Sequence, residues 1–127
     1  MEGNYSTATG LQQIFNGQLE GNVYVAFFQT PYWVVDVRDQ AIIHIGALLA
    51  PDINRQKLWA AGNPPHHINE YLAVWRKAYP DKKIVEDLDI PPVSIQHLNR
   101  DKENELMRRF AGRNWISWKG SVLETVA

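Results

Sequence analysis

The segment at residues 41–50 constrains the fold most, because His44 is its one polar residue. At ten residues it is too short to cross a membrane, which takes roughly 18 or more apolar residues. Asp36 precedes it and can accept a hydrogen bond from the backbone N–H of Asp39, as N-cap residues do. Pro51 follows it and cannot continue a helix. The sequence therefore predicts a helix that is buried on most sides.

The composition is that of an ordinary globular protein without disulfides. The chain has 127 residues, of which 45% are hydrophobic and 21% charged. This length predicts a single domain over residues 1–127. The chain contains no cysteine, which excludes disulfides, thiolate metal ligands and cysteine nucleophiles.

Charge and N-terminal sequence narrow the expected partners and location. Thirteen Lys and Arg residues against fourteen Asp and Glu residues give a net charge of −1. Nucleic acid is not an expected partner, because such binding normally needs a basic surplus. The first residues are polar and lack the apolar region of a secretory signal. We expect a cytoplasmic protein with no membrane segment.

Hydrophobic spacing and turn residues predict short elements along the rest of the chain. Apolar residues at three- and four-residue spacing predict helices over residues 6–16, 67–79, 101–110 and 118–126. Apolar, β-branched and aromatic runs predict extended segments at residues 23–28, 32–35, 57–61 and 84–85. The expected fold class is α/β or α+β, a small layered domain with about five helices and three or four short strands.

Five motifs occur in an order and spacing found in a known family. They are Tyr-Trp-Val-Val-Asp-Val-Arg-Asp at residues 32–39, the apolar helix with His44, Lys-Leu-Trp-Ala-Ala-Gly at 57–62, Trp-Arg-Lys-Ala-Tyr-Pro at 75–80 and Trp-Ile-Ser-Trp-Lys-Gly-Ser-Val at 115–122. Together they resemble the C-terminal, substrate-binding half of extended short-chain dehydrogenase/reductases. The nearest branch is that of fungal NAD-dependent epimerase/dehydratases and dihydroflavonol-reductase-like proteins.

The cofactor-binding half of that family has no counterpart in this sequence. In the family a Gly-rich turn holds the dinucleotide pyrophosphate at a helix N-terminus, and a Ser and a Tyr-x-x-x-Lys pair carry the chemistry. None of the eight glycines forms such a turn. Tyr79 and Lys83 have the Tyr-x-x-x-Lys spacing, but Tyr79 aligns with a non-catalytic Tyr-Pro element. We expect no cofactor and no hydride transfer by the family's mechanism.

His67 is the first candidate for a catalytic base. Members of the family usually have a Thr or Asn cap at this position. A histidine there meets the positive end of the helix dipole, which favours the neutral imidazole that a general base needs. His66 and Asp36 are further catalytic candidates. The alternative interpretations are a surface pair of histidines, and an Asp36 that only caps a helix and pairs with Arg38.

No metal site is predicted. Adjacent histidines do not share one helix face, which needs spacing of four residues, and the sequence places no third ligand near them.

The resemblance also implies a set of substrate-binding residues. In the reductases the loop before residues 32–39 touches the substrate. Aromatic side chains there can stack on a flat ligand, and polar ones can bind a carbonyl group. Packing is the alternative role for the aromatic residues. The expected substrate-binding residues are Gln29, Thr30, Tyr32, Trp33, Arg38 and Trp59.

A homodimer is the expected assembly. Trp59 lies on the predicted strand at residues 57–61, which in full-length reductases joins the edge of the cofactor-domain sheet. Without that domain, the strand edge and the apolar helix need another cover. A second copy of the chain is the simplest one.

The sequence leaves more than one function open. The first is a cofactor-independent isomerase, cyclase or dehydratase-type enzyme that acts on a small apolar secondary metabolite, a reaction that needs positioning and one acid/base pair. The second is a non-catalytic ligand-binding or partner-completing subunit, and the third is a fragment without its own function. An enzyme should bring polar groups of residues 29–39 and 62–67 together, whereas a completing subunit should expose apolar surface around residues 41–49 and 57–61.

Overall fold

The computed structural model describes residues 6–127, which form six helices and a two-stranded antiparallel sheet. The helices are α1 (Thr7–Phe15), α2 (Val23–Gln29), α3 (Val37–Leu49), α4 (Ile68–Ala78), α5 (Asp101–Ala111) and α6 (Trp118–Val126). The strands are β1 (Tyr32–Val34) and β2 (Asn63–His66). This confirms the mixed α and β fold class, with six helices rather than five and two strands rather than three or four.

The described residues divide into two compact units. The first unit contains residues 6–32 together with Pro65–Ile95 and Lys119–Ala127. The second contains Trp33–Pro64 and Gln96–Trp118. Within residues 6–127, no helix has the length and apolarity of a membrane span.

The core of the first unit is built around one face of α4. Ile68, Tyr71, Leu72 and Trp75 recur at helical spacing and are all buried, as the sequence pattern predicts. The Phe15 ring of α1 packs edge-to-face against Trp75, with ring centroids 5.4 Å apart. Large aromatic rings thus supply much of the buried apolar area in this unit.

Side chains of α4 also hold the irregular segment that follows that helix. The Asn69 carboxamide donates to the Leu88 carbonyl oxygen over 2.9 Å and accepts from the Leu88 N–H over 2.8 Å. Arg76 donates to the Val85 carbonyl oxygen and to the Asp87 carboxylate. These bonds fix the segment without a strand, so the strand predicted at residues 84–85 is wrong.

The second unit packs α3 against α5. Ile43 and Ala50 meet the wholly buried Leu106 and Met107. Gly46 allows close approach, because a Cβ there would lie 3.0 Å from the Phe110 ring. Helix α5 ends at Gly112 in the left-handed conformation that favours glycine, as predicted.

Helix α3 is less buried than its composition suggests. Val37, Ile45, Leu48 and Leu49 are 49% to 83% exposed, and His44 is exposed as well. Among the described residues, α5 and nearby loop residues cover one side of α3, so the prediction of burial on most sides is wrong.

Residues 23–28, predicted as extended, form α2 instead. Asn22 caps this helix by accepting a hydrogen bond from the Tyr24 N–H over 3.0 Å. A short, wholly apolar run fits either element, and here the cap and the inward packing of Phe28 decide for the helix.

The strand predicted at residues 57–61 is also absent, because side chains satisfy its backbone groups. The Trp59 N–H donates to the buried Glu103 carboxylate over 2.7 Å. Arg100 donates to the carbonyl oxygens of Ala61 and Gly62. A strand forms further along the chain instead, at β2 (Asn63–His66), where a loop was expected.

Candidate functional site

Three side chains converge where β2 runs into α4. His66 ends β2, His67 is the N-cap of α4, and Glu70 is in the first turn of that helix. One Glu70 oxygen lies 3.0 Å from His66 Nδ1, and the other accepts from the His67 N–H over 3.0 Å. His67 Nε2 lies 3.8 Å from the same carboxylate. We call these three residues the His–Glu cluster.

The Glu70 carboxylate is stabilised in its charged form. Partial burial of the carboxyl group acts to raise its pKa, but the hydrogen bonds from His66 and from the His67 backbone outweigh burial and lower it. A carboxylate that accepts from one imidazole nitrogen holds the ring orientation and tautomer. The sequence analysis missed Glu70, although Glu three residues after an N-cap is a recognisable capping-box signal.

An exposed pair of aromatic rings lies in the same unit. Phe27 and Tyr32 stack with ring centroids 4.7 Å apart and planes 17° apart. The side chains are 41% and 46% exposed. We call Phe27 and Tyr32 the aromatic pair. Phe27 was not predicted, because residues 23–28 were expected to be extended and its position beside Tyr32 depends on α2.

The sheet brings the aromatic pair and the His–Glu cluster to one end. Tyr32 is the first residue of β1 and His66 the last of β2. Because the strands are antiparallel, the start of β1 and the end of β2 are at the same end of the sheet. The first unit thus combines apolar rings with a carboxylate-held imidazole.

Gln29 and Thr30, the other predicted substrate-binding residues of this unit, form hydrogen bonds within the protein. The Gln29 amide donates to the Asp89 carbonyl oxygen over 3.0 Å. Thr30 is the C-cap of α2, and its backbone N–H donates to the Phe27 carbonyl oxygen. Both residues hold the loop that leads to Tyr32.

Trp33 lies in the second unit and is engaged in packing. Its Nε1–H donates to the Gln96 carbonyl oxygen over 2.7 Å. The Arg100 guanidinium lies over the ring, 4.6 Å from its centroid. These contacts correspond to the packing role that the sequence left open for this residue.

Asp36 caps α3, with a different donor from the one predicted. Its carboxylate accepts from the Arg38 N–H over 2.9 Å and binds the Arg38 guanidinium through both oxygens over 2.8 Å. Asp39, the predicted donor, has a fully buried side chain that accepts from the Ile116 N–H and pairs with Arg113. The predicted cap is thus present with the Arg38 N–H as its donor, and the Asp39 side chain packs inward, against the loop after α5.

Trp59 remains 40% exposed in the second unit. The Lys57 ammonium lies 4.6 Å from the centroid of its ring, a cation–π contact at an exposed site. The candidate residues are therefore divided: Gln29, Thr30, Tyr32, His66 and His67 lie in the first unit, and Trp33, Asp36, Arg38 and Trp59 in the second.

A concave surface of about 440 Å³ lies elsewhere in the first unit. Residues 78–82 line it, at the C-terminal end of α4. The His–Glu cluster is at the N-terminal end of that helix. Across residues 6–127, no group of three or more His, Cys, Asp or Glu residues is arranged to hold a metal ion.

Comparison with known proteins gives three relatives. An NAD-dependent epimerase/dehydratase, terH, of Aspergillus terreus is 31% identical over 100 residues, 78% of this chain and 28% of that protein. Aldehyde reductase 2 of Sporidiobolus salmonicolor is 23% identical over 121 residues, 95% of this chain and 34% of that protein. Ketoreductase nvfG of Aspergillus novofumigatus is 28% identical over 112 residues, 87% of this chain and 32% of that protein. The chain therefore resembles short-chain dehydrogenase/reductases.

The resemblance to dehydrogenase/reductases covers most of this chain but a minor part of each relative. The chain spans about a third of the length of these curated relatives. No protein-family model matches it, and no solved structure matches it.

The described residues do not fit the dinucleotide that this family uses. A pyrophosphate needs a helix N-terminus with free N–H groups directly after a strand. In residues 6–127, the helices that follow a strand in this way are α3 and α4. Asp36 places a carboxylate at the first and Glu70 at the second, so a phosphate would meet negative charge at both.

Proposed function

We propose that the chain is a cofactor-independent enzyme of isomerase, cyclase or dehydratase type that acts on a small apolar metabolite. The observation that carries the proposal is that the His–Glu cluster and the exposed aromatic pair belong to the same unit, with His66 and Tyr32 at one end of the sheet. A histidine held by a carboxylate is a common general base, and exposed aromatic rings bind flat apolar molecules.

His66 is the proposed base. When its Nδ1–H donates to Glu70, the lone pair lies on Nε2, which can take a proton from a substrate carbon or hydroxyl group. Glu70 then stabilises the imidazolium that forms. Return of the proton to another atom of the substrate completes an isomerisation without a change of oxidation state. His67, 3.8 Å from the same carboxylate, is the proposed second acid/base group.

Tyr32 is the proposed substrate contact in this site. The Tyr32 ring stacks on Phe27 through one face, and its side chain is 46% exposed. A flat ligand would stack on the outer face of Tyr32, while Gln29 and Thr30 hold the loop behind it. Asp36, Arg38, Trp33 and Trp59 belong to the second unit and are not included in the proposed chemistry.

Histidine variants test the chemistry. In turnover assays with flat, enolisable polyketide-like ligands, His66→Ala should lower kcat by roughly 10²- to 10⁴-fold, the usual contribution of a general base. His67→Ala should also lower kcat. His97, in an exposed loop of the second unit, provides the matched control, and His97→Ala should leave kcat unchanged.

A decrease below about threefold in both His66→Ala and His67→Ala would remove the His–Glu cluster from the mechanism. Tyr32→Ala should raise KM more than it lowers kcat, and the opposite pattern would argue against stacking. Titration with NADH and NADPH, followed by Trp fluorescence, should show no binding. Tight dinucleotide binding would restore the redox interpretation.

One observation favours the second candidate function, a ligand-binding or partner-completing subunit. The exposed apolar side chains of α3 are what such a subunit would present. This candidate predicts ligand binding without turnover in every variant of the assay, whereas the enzyme predicts turnover that His66→Ala removes. A homodimer in the cytoplasm remains part of the first proposal.

A further inference from the structure

One nitrogen of the His67 ring is buried without a hydrogen-bond partner. His67 Nδ1 is inaccessible to solvent and has no partner among the described residues. The side chain as a whole is 42% exposed, so its exposure belongs to the rest of the ring. The two ring nitrogens therefore have different surroundings, and in a neutral imidazole only one of them carries the proton.

The start of α4 selects the nitrogen that stays bare. His67 is the N-cap of this helix, and its side chain is turned toward the Glu70 backbone N–H. An N–H at Nδ1 would be buried without an acceptor and would lie near the positive end of the helix dipole, and both effects cost free energy. A lone pair at Nδ1 avoids both costs.

The Glu70 carboxylate selects the nitrogen that carries the proton. His67 Nε2 lies 3.8 Å from one Glu70 oxygen, and a negative charge at that distance attracts an N–H and repels a lone pair. The same oxygen accepts a shorter bond, 3.0 Å, from the His67 backbone N–H, and the other oxygen lies 3.0 Å from His66 Nδ1. The Nε2–H of His67 thus lies near the carboxylate without a hydrogen bond of normal length to it.

We propose that His67 donates its Nε2–H to a carbonyl oxygen of the substrate, which is a flat apolar ketone with a proton on the carbon next to the carbonyl group. The inference rests on the proposed function, in which His66 is the base and Tyr32 the apolar contact. A neutral N–H donor stabilises the negative oxygen that forms when the proton leaves. The substrate is neutral, because Glu70 would repel an anionic group.

The reaction needs no co-reactant. His66 Nε2 takes the proton, the electron pair of the C–H bond forms a carbon–carbon double bond, and the carbonyl π pair moves to the oxygen that His67 holds. His67 keeps its own proton throughout. The His66 imidazolium then returns the proton to another carbon of the conjugated enolate, which shifts a double bond without a change of oxidation state.

NMR of the full chain with nitrogen-labelled histidine tests the tautomer, at about pH 8, where an unperturbed histidine is neutral. His67 should show a bare Nδ1 and a protonated Nε2, and loss of these signals in His67→Asn identifies them. His97, exposed in an irregular segment, is the matched control and should average between two tautomers. A protonated Nδ1 in His67, or averaging as in His97, would overturn the proposal whether or not the chain has activity.

Two variants separate the hydrogen-bond donor from the helix cap. The side-chain oxygen of His67→Asn can take the place of Nδ1 and cap α4, but this variant has no group at the place of Nε2. The amide nitrogen of His67→Gln can reach that place, and glutamine is not a preferred N-cap. In urea, His67→Asn should be at least as stable as the wild type, and His67→Gln should be less stable.

Proton exchange of β-tetralone in heavy water tests the role of the donor. The wild type should incorporate deuterium next to the carbonyl group faster than buffer does. His67→Asn should slow this exchange by roughly 10²- to 10³-fold, the usual effect of removing one such donor, and His67→Gln should slow it less. Activity and stability should thus change in opposite directions in the two variants.

The outcomes separate this inference from the proposed function. Equal exchange rates in the wild type and His67→Asn would overturn the inference, and if His66→Ala still abolished exchange, the proposed function would stand. Exchange no faster than in buffer would overturn the ketone as substrate class.

Ligand titration tests the carbonyl contact apart from turnover. β-Tetralone should shift the Nε2 signal of His67, whereas tetralin, which has the same ring system without the oxygen, should leave that signal unchanged. An equal shift with both ligands, or no shift with either, would contradict the contact.

Discussion

At the scale of the residue, Glu70 connects the start of α4 to two histidines. Its two oxygens have different partners, the His66 imidazole and the His67 backbone N–H. The carboxylate therefore caps the helix and orients a candidate base at the same time. Loss of its charge should affect stability as well as any reaction of His66.

Glu70→Gln should reduce the pH dependence of stability. The folded-state pKa of Glu70 lies below its ordinary value, so the stabilisation is present above the unfolded-state pKa, about 4.3. It is lost as the pH falls through the folded-state value. In urea unfolding, the variant should be less stable than the wild type at pH 7 by under about 1 kcal/mol, since the carboxylate is partly exposed. The difference should shrink below about pH 4.

Glu86→Gln is the control for this measurement, because Glu86 is exposed in the segment after α4. Its urea midpoint should match that of the wild type at both pH values. A Glu70→Gln deficit that is equally large at pH 7 and in acid would show that the bonds to His66 and His67 do not depend on ionised Glu70.

The residues of the candidate site could be predicted only in part from the sequence. His66 and His67 could be predicted, because their position at the start of a helix depends on local sequence signals. Phe27 was not, because its stacking on Tyr32 depends on α2 being a helix. Trp33 could be read as a ligand contact or as packing, and only the positions of Gln96 and Arg100 show the packing.

At the scale of the element, α1 and α2 approach each other at a glycine. A Cβ on Gly10 would overlap the Tyr24 ring and lie 2.6 Å from its Cδ2 atom. The contact therefore requires a residue without a side chain in the middle of α1. Glycine is required here because a side chain would clash with Tyr24 and not because of the backbone conformation, since Gly10 has ordinary helical geometry.

Gly10→Ala should destabilise the protein by up to about 2 kcal/mol, because overpacking costs about 1–3 kcal/mol while alanine gains about 1 kcal/mol of helix propensity. Thermal or urea unfolding measures this. In a Tyr24→Gly background the ring and the Tyr24 Cβ, which would lie 2.7 Å from the new Cβ, are both absent, and Gly10→Ala should become neutral or stabilising. A penalty that persists in that background would place the cause elsewhere.

The elements that sequence patterns predicted well are those with local signals. Helices α4 and α5 have amphipathic spacing, and Gly112 marks the end of α5. Residues 57–61 were predicted as a strand, but a short apolar run does not by itself distinguish a strand from other buried structure. Their backbone partners, Glu103 and Arg100, are about forty residues away in sequence, and no local pattern predicts such a bond.

At the scale of the whole molecule, little net charge opposes association. The chain has a net charge of −1 and an isoelectric point near 6.4. It also exposes apolar side chains in both units, among them Val23 and Leu48. Molecules with near-zero net charge and apolar surface associate readily.

Light scattering of the purified chain should therefore be highest near pH 6.4 and should fall as the pH is raised to about 8, where net negative charge separates the molecules. Val23→Glu should lower the scattering at pH 6.4, since it adds charge and removes exposed apolar area. Scattering that does not vary with pH would show that surface charge does not control association.

The two hydrogen bonds between the Asn69 side chain and the Leu88 backbone have a consequence for how the sequence can vary. The carboxamide contacts only the N–H and carbonyl group of residue 88, and these are the same in every amino acid except proline. Position 88 should therefore tolerate many substitutions in a mutational scan, whereas position 69 should accept few, because no other side chain of this size both donates and accepts in this geometry. Much of the information that fixes this irregular segment is thus encoded in a helix nineteen residues earlier.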